Sequence, residues 1–261
     1  MKHFTPQPGT AAAMALLGDG AGPGRGNTGP IPPWKPPMTP ASRTPRQDPY
    51  RFIHKGLRAA LFDTVQALGS ADPGDPAALA DVLDGADELL ALLLEHMRQE
   101  NHFFHVAIEA RQPGGAKPLG DEHTQLREML ADLQEDVQRL RRTPAEGRGA
   151  QLHWLYQRFC TAAADQLQHM QREEETLNPL LWALYSDAEL RAIQQQLLAA
   201  SEPRLLRVLV GWMLRALAPR ELAGLLGLVR RLAPADEFTA VLEQARRESS
   251  PARWAAVAAL L

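Results

Sequence analysis

His96 and Glu100 stand four residues apart, as do His169 and Glu173, and both pairs interrupt runs that are largely apolar. An α-helix turns about 100° per residue, so positions four apart share one face about 6 Å apart along the axis. Counted by threes and fours, the first run reads Leu79, Val82, Ala86, Leu89, Leu93, His96, Glu100, Phe103, Ala107. Only the imidazole and the carboxylate break its apolar character, so both would point into an interior. A buried carboxylate is costly unless it is paired or bound to a metal. Two single histidines, His54 and His123, hold seam positions in two further runs of the same spacing. Four imidazoles and two carboxylates brought together could hold a pair of first-row metal ions, the carboxylates bridging and the imidazoles capping. That set suits iron or manganese, and zinc would also accept it. The alternative is a layer of core polar groups bonded to one another and to backbone, which would need an internal partner for each of the six.

The elements that must position these groups are four long helices. The first is expected from the cap Asp48-Pro49 to about Leu68, with the seam Tyr50, His54, Leu57, Leu61, Thr64, Leu68. The second should run from Pro76 to about Arg111, where Gln112-Pro-Gly-Gly115 stops it. The third should open at Gly120-Asp121 with the seam Leu119, His123, Leu126, Leu130, Leu133, Val137, Leu140. The fourth is expected from about Ala150 to Asn178, before Pro179, with the seam Leu152, Leu155, Phe159, Ala162, Gln166, His169, Glu173, Thr176. Short connections and 3,4-spaced seams predict an all-α, up-down-up-down four-helix bundle. In that topology His54 and His123, near helix starts, and His96 and His169, toward helix ends, share one level. The second helix would overhang that level, and the overhang is expected to protrude or to pack on the C-terminal region.

Residues 1–47 are dense in Pro, Gly, Ser and Thr, most of all Pro30-Ile-Pro-Pro-Trp-Lys-Pro-Pro37, and read as a disordered tail. From 184 to 261 the pattern becomes short helices, a smaller C-terminal helical region that covers the bundle or dimerises. Ser186-Asp-Ala-Glu189 is a capping box, and Pro203, Pro219, Pro234 and Pro251 suit helix starts. Leu205–Leu214 is apolar enough for a membrane or a partner, and core packing is the simpler reading. A net charge of −3 gives no electrostatic case for nucleic acid. The single cysteine, Cys160, allows no internal disulfide, and no apolar run reaches the ~18 residues of a membrane span, so a cytoplasmic protein without a signal peptide is expected. No nucleophile triad, phosphate loop or dinucleotide fingerprint occurs.

The pattern His54, His96-x-x-x-Glu100, Glu122-His123 and His169-Met-Gln-Arg-Glu-Glu174 resembles the hemerythrin-like, or HHE cation-binding, family over about residues 48–183. The resemblance implies a non-haem di-iron centre. His54, His96, His123 and His169 would be terminal ligands and Glu100 and Glu173 bridging carboxylates. It implies binding or sensing of O2, NO or peroxide, or handling of iron, rather than one fixed reaction. The oxygen carriers of the family have a second histidine one turn after the first on helix three, where this chain has Arg127. Leu126, in the seam, cannot substitute. Such a centre is more open and favours redox, peroxide or NO chemistry over reversible O2 storage, with a water or a spare histidine completing it. The alternatives are a di-iron peroxidase, catalase-like or NO-reducing enzyme, and a metal-free helical interaction protein.

Among the remaining polar groups, His105 lies nine residues from His96, about 180° around a straight helix, so it and Glu109 are expected to face away from the site. His102 is expected on the surface, and His153 lies too far down its helix to ligate. Glu174 would replace Glu173 only if the helix were locally overwound. Tyr50, a turn before His54, is expected to close the end of the core.

Overall fold

The computed structural model describes residues 46–261. Most of the expected tail, with its Pro-Pro-Trp-Lys-Pro-Pro stretch, lies outside the described residues. The chain is anchored from Arg46, whose guanidinium pairs with Asp187 and donates to the carbonyls of Trp182 and Tyr185.

The described chain is all helical. Helix α1 (Arg51–Ser70) starts where Asp48 accepts from the backbone N–H groups of Tyr50 and Arg51. Helix α2 (Pro76–Glu100) is capped by Asp75 with Pro76 in its first turn. It continues through a π turn at Asn101–His105 into α3 (Val106–Arg111). The turn to α4 (Lys117–Arg142) uses Gly114 at φ 81, a left-handed conformation that glycine adopts without a Cβ clash. Helix α5 (Ala145–Arg172) passes through a second π turn, Glu173–Leu177, into α6 (Asn178–Leu184). Two boundaries therefore fall earlier than expected, at Lys117 and Ala145, and Pro179 does not stop the fourth helix. A proline inside a helix lacks one N–H and crowds the carbonyl four residues back. The π turn just before Pro179 reroutes that hydrogen-bond ladder and lets the helix pass.

Helices α1, α2, α4 and α5 touch in a ring, each against two neighbours. The expected seams line the inside: Leu57, Leu61 and Leu68, Leu89 and Leu93, Leu130, Leu133 and Val137, and Leu155 and Phe159 are all buried in one apolar cluster. A second cluster lies beyond the histidine layer. There Tyr50, Phe104, Ile108, Leu119, Leu177 and Leu181 meet Leu190 and Leu197 of α7 (Asp187–Ala199). The overhang of the second helix thus packs rather than protrudes. The polar layer sits between two apolar cores, which keeps bulk water from it.

After the capping box at Ser186 and Glu189 come α8 (Pro203–Ala216), α9 (Pro219–Leu232), α10 (Ala235–Arg247) and α11 (Pro251–Ala258). Leu209, Met213 and Leu214 of α8 and Leu222, Leu225 and Leu226 of α9 belong to the main cluster, so these helices share the core of the long ones. Gly56 allows the close approach of α8 to α1, because a Cβ there would meet Met213 Cγ at 3.0 Å. Lys55 and Arg51 of α1 reach Glu221 in the first turn of α9. Arg253 donates to the carbonyls of Leu214 and Leu217, placing a cation at the C-terminal end of α8. Leu214→Ala is expected to cost about 2–5 kcal/mol, the range for a buried leucine cavity. Urea unfolding should show the whole described chain losing that stability in one transition; a separate early transition would mean that α8–α11 fold apart. No described helix is long and apolar enough to cross a membrane.

Candidate metal centre

His54 on α1, His96 and Glu100 on α2, His123 on α4, His169 on α5 and Glu173 in the second π turn meet in one buried layer. Their inward atoms form two groups, each with all donor atoms within 4.8 Å of one another. One holds His54, His96, Glu100 and Glu173; the other holds Glu100, His123, His169 and Glu173. The two carboxylates are common to both.

The distances carry the chemistry. Nε2 of His54 lies 3.4 Å from Glu173 Oε2 and 3.8 Å from Glu100 Oε1. Nε2 of His96 lies 3.2 Å from Glu100 Oε1. Nε2 of His123 lies 3.4 Å from Glu173 Oε1 and 3.6 Å from Glu100 Oε2, and Nε2 of His169 lies 3.2 Å from Glu173 Oε1. Both oxygens of Glu100, both of Glu173, and Nε2 of His54 and His96 have no hydrogen-bond partner. Donor atoms about 2.1 Å from a shared ion stand about 3 to 3.5 Å apart, close to the spacing found here.

The outer nitrogens are oriented from behind. Nδ1 of His54 donates to Glu174 at 2.8 Å, Nδ1 of His169 to Glu122 at 2.9 Å, and Nδ1 of His123 to the Asn101 side-chain oxygen at 2.8 Å. Glu174 is held in turn by Arg58 and Glu122 by Arg172. Carboxylate and amide oxygens only accept, so Nδ1 carries a proton and Nε2 is the nitrogen left to give its lone pair to a metal. Nε2 of His123 and Nε2 of His169 then face each other at 2.8 Å. Two nitrogens that close need either a shared proton or a metal ion to hold them together. Orphaned oxygens, facing nitrogens and a six-donor nitrogen and carboxylate set all fit bound metal.

Without metal, the layer is electrostatically strained. Burial, and then the charge of Glu173, push Glu100 up to about 8. Burial also opposes the charge of Glu173, but the imidazoles of His123 and His169 outweigh it and hold that carboxyl well below its usual range. Burial disfavours protonated His54, yet the carboxylates of Glu100, Glu174 and Glu173 raise it to about 9. Burial and the nearby imidazole of His54 push His96 well down.

A model of the hemerythrin HHE cation-binding domain matches residues 48–181, just over half of the chain. The chain belongs to the hemerythrin HHE cation-binding family. No match was found among curated proteins or among solved structures. Membership in the hemerythrin family and the buried histidine and glutamate layer together make this a metal-binding type of domain, for which iron is the usual metal. The family's oxygen carriers have histidine at the position of Arg127, and here that side chain is exposed while Leu126 is buried in the core.

The π turns correct the helical count. Each inserts one residue directly after a site glutamate or at it, and the buried positions downstream move on by one. Phe104, His105 and Ile108 are the inward residues instead of Phe103 and Ala107, and Leu177 replaces Thr176. His105 therefore does not face away. It is buried, and its ring stacks on His123 at 4.9 Å with an interplanar angle of 8°. Burial, and then His123, bring its pKa down to about 4, and it belongs to neither donor group. Glu109 does not form a surface pair with it; its carboxylate accepts from the backbone of Gly114 and Ala116 at the entry to α4. Glu173 faces the layer and Glu174 stays behind His54. His102 and His153 are exposed, and His3 lies outside the described residues.

Asn101 was not singled out by pattern, because a polar residue one position after a seam glutamate reads as surface. Only its bond to His123 reveals its role. Asn101→Ala is expected to lower metal affinity about 10- to 100-fold, as loss of an outer partner does elsewhere. Competition with a metal indicator would measure this, and unchanged affinity would show that His123 needs no orienting partner.

Proposed function

We propose that this chain is a cytoplasmic, non-haem di-iron protein that binds or senses O2, NO or peroxide, or handles iron. In this reading α1, α2, α4 and α5 form an up-down-up-down bundle over residues 48–183, and residues 184–261 are an accessory region that buttresses α1. His54 and His96 would hold one ion, His123 and His169 the other, and Glu100 and Glu173 would bridge them. Manganese or zinc would fit the same donors, and the optical spectrum distinguishes them from iron.

The observation that carries the reading is the buried layer in which both carboxylates and the inner nitrogens of His54 and His96 lack partners, and whose donors divide into two groups sharing both carboxylates. Bound iron would supply redox chemistry and open positions for a small ligand. The chain's part is to set imidazole tautomers through Glu174, Asn101 and Glu122, to offset cationic charge with two carboxylates, and to exclude water with apolar cores on both sides. Anaerobic loading with Fe(II), followed by air, should give about two irons per chain and visible oxo- or peroxo-type absorption. A chain that takes up no metal would refute the proposal.

A second reading, an enzyme that turns over peroxide or NO, is favoured by the donor count. Each group has four protein donors, fewer than a six-coordinate ion takes, which leaves room for substrate. Steady-state consumption of peroxide or NO by the iron-loaded chain separates turnover from simple binding.

A further inference from the structure

Tyr50 lies four residues before His54, and its backbone carbonyl accepts the N–H of His54. Its ring is 1% exposed and packs against His54 at 5.1 Å and Phe104 at 5.7 Å. Around it the second core is apolar, with Leu177 and Leu181 among its members. The phenol hydroxyl is buried and has no hydrogen-bond partner. Buried hydroxyls are rarely left so, because the loss of water goes uncompensated.

The neighbourhood holds acceptors in excess. Both oxygens of Glu100 and both of Glu173 are likewise unpartnered. A donor thus stands beside unpartnered carboxyl oxygens without bonding to any of them. The simplest completion is a small guest atom with a lone pair, bound at the site within reach of the hydroxyl. The Tyr50 ring packs on His54, whose own ring meets that of His96 edge to face at 5.3 Å, while His105 stacks on His123 of the other pair.

Resting on the metal reading above, we propose that the Tyr50 hydroxyl donates a hydrogen bond to the small ligand bound on the His54 and His96 side of the centre. That makes Tyr50 a ligand-contacting residue, selective for anions or diatomics that can accept a hydrogen bond. The hydroxyl is not itself a metal ligand in this proposal.

Azide is the probe, used with the full chain loaded with iron and oxidised to the ferric state. Tyr50→Phe removes one oxygen and keeps the ring, so packing is preserved. The variant should hold as much iron as the parent and bind azide about tenfold more weakly. The azide stretching band of the parent should shift in D2O, and that shift should vanish in Tyr50→Phe. Equal azide affinity with equal iron content overturns the inference and leaves the metal reading intact. A phenolate-to-ferric absorption in the azide-free parent, lost in Tyr50→Phe, also overturns it by making Tyr50 a ligand. A metal-free Tyr50→Phe that melts well below the parent would reveal an internal partner for the hydroxyl and overturn it too. Absence of iron from both proteins overturns this inference and the metal reading together.

Discussion

Replacing Glu173 with alanine is expected to strip the chain of most of its iron, from about two ions to fewer than one. The side chain is fully buried and belongs to both donor groups. Oε1 faces His123 and His169, and Oε2 faces His54, so this carboxylate, like Glu100, reaches three of the four imidazoles. Its loss removes a donor from each group and half of the anionic charge that offsets two cations. Glu173→Gln keeps the shape but loses the charge and one acceptor oxygen, and should fail nearly as badly. Glu175→Ala, two residues on and exposed, should keep its full iron content and serve as the control. Metal analysis after anaerobic Fe(II) loading reads all three. Full iron in Glu173→Ala would exclude the shared-carboxylate arrangement.

The second large effect is on stability. The metal-free layer leaves the carboxylate oxygens of Glu100 and Glu173 and the inner nitrogens of His54 and His96 unpartnered, and places the inner nitrogens of His123 and His169 2.8 Å apart. Unpaired buried groups are destabilising, and an ion that satisfies them binds only the folded chain. At a hundredfold excess over the dissociation constant, one such ion adds about 2.7 kcal/mol. For a chain of this size that corresponds to a rise of about 5–11 °C in Tm. Thermal melts with Fe(II) under argon, with Zn(II), and with a chelator should show it. Equal melting temperatures in all three would instead favour a helical interaction protein that has lost its metal. Glu173→Ala should abolish the metal-dependent part of the rise, which ties the two measurements to one site.

The six layer residues and the four seams were legible in the sequence because they depend on local periodicity, and the family through the resemblance of its histidine and glutamate motifs. A helix repeats every 3.6 residues, so an inward residue announces its neighbours three and four positions away. His54, Leu57, Leu61 and Leu68 on α1, or His123, Leu126, Leu130 and Leu133 on α4, are buried as spacing requires. The same arithmetic failed at His105, because it assumes one uniform helix. π turns are frequent at functional sites, and each breaks the count by one residue. Here both lie at the site glutamates, so the pattern misread the residues just beyond the chemistry: His105, Phe104 and Leu177.

By itself, then, the sequence determined most of the side chains that face inward on the regular helices, Leu83 in place of Val82 being an exception, and that two His-x-x-x-Glu pairs and two single histidines lie on those faces. Local repeats encode that information directly. Tertiary structure alone decided which residues stand behind the imidazoles: Glu174 behind His54, Asn101 behind His123 and Glu122 behind His169. It also decided that α8 lies along α1 at Gly56 and that the Tyr50 hydroxyl remains unpartnered beside the layer. These are contacts between helices distant in the chain or across a shifted register, and no local repeat records them. They depend on how the packed helices bring their side chains together.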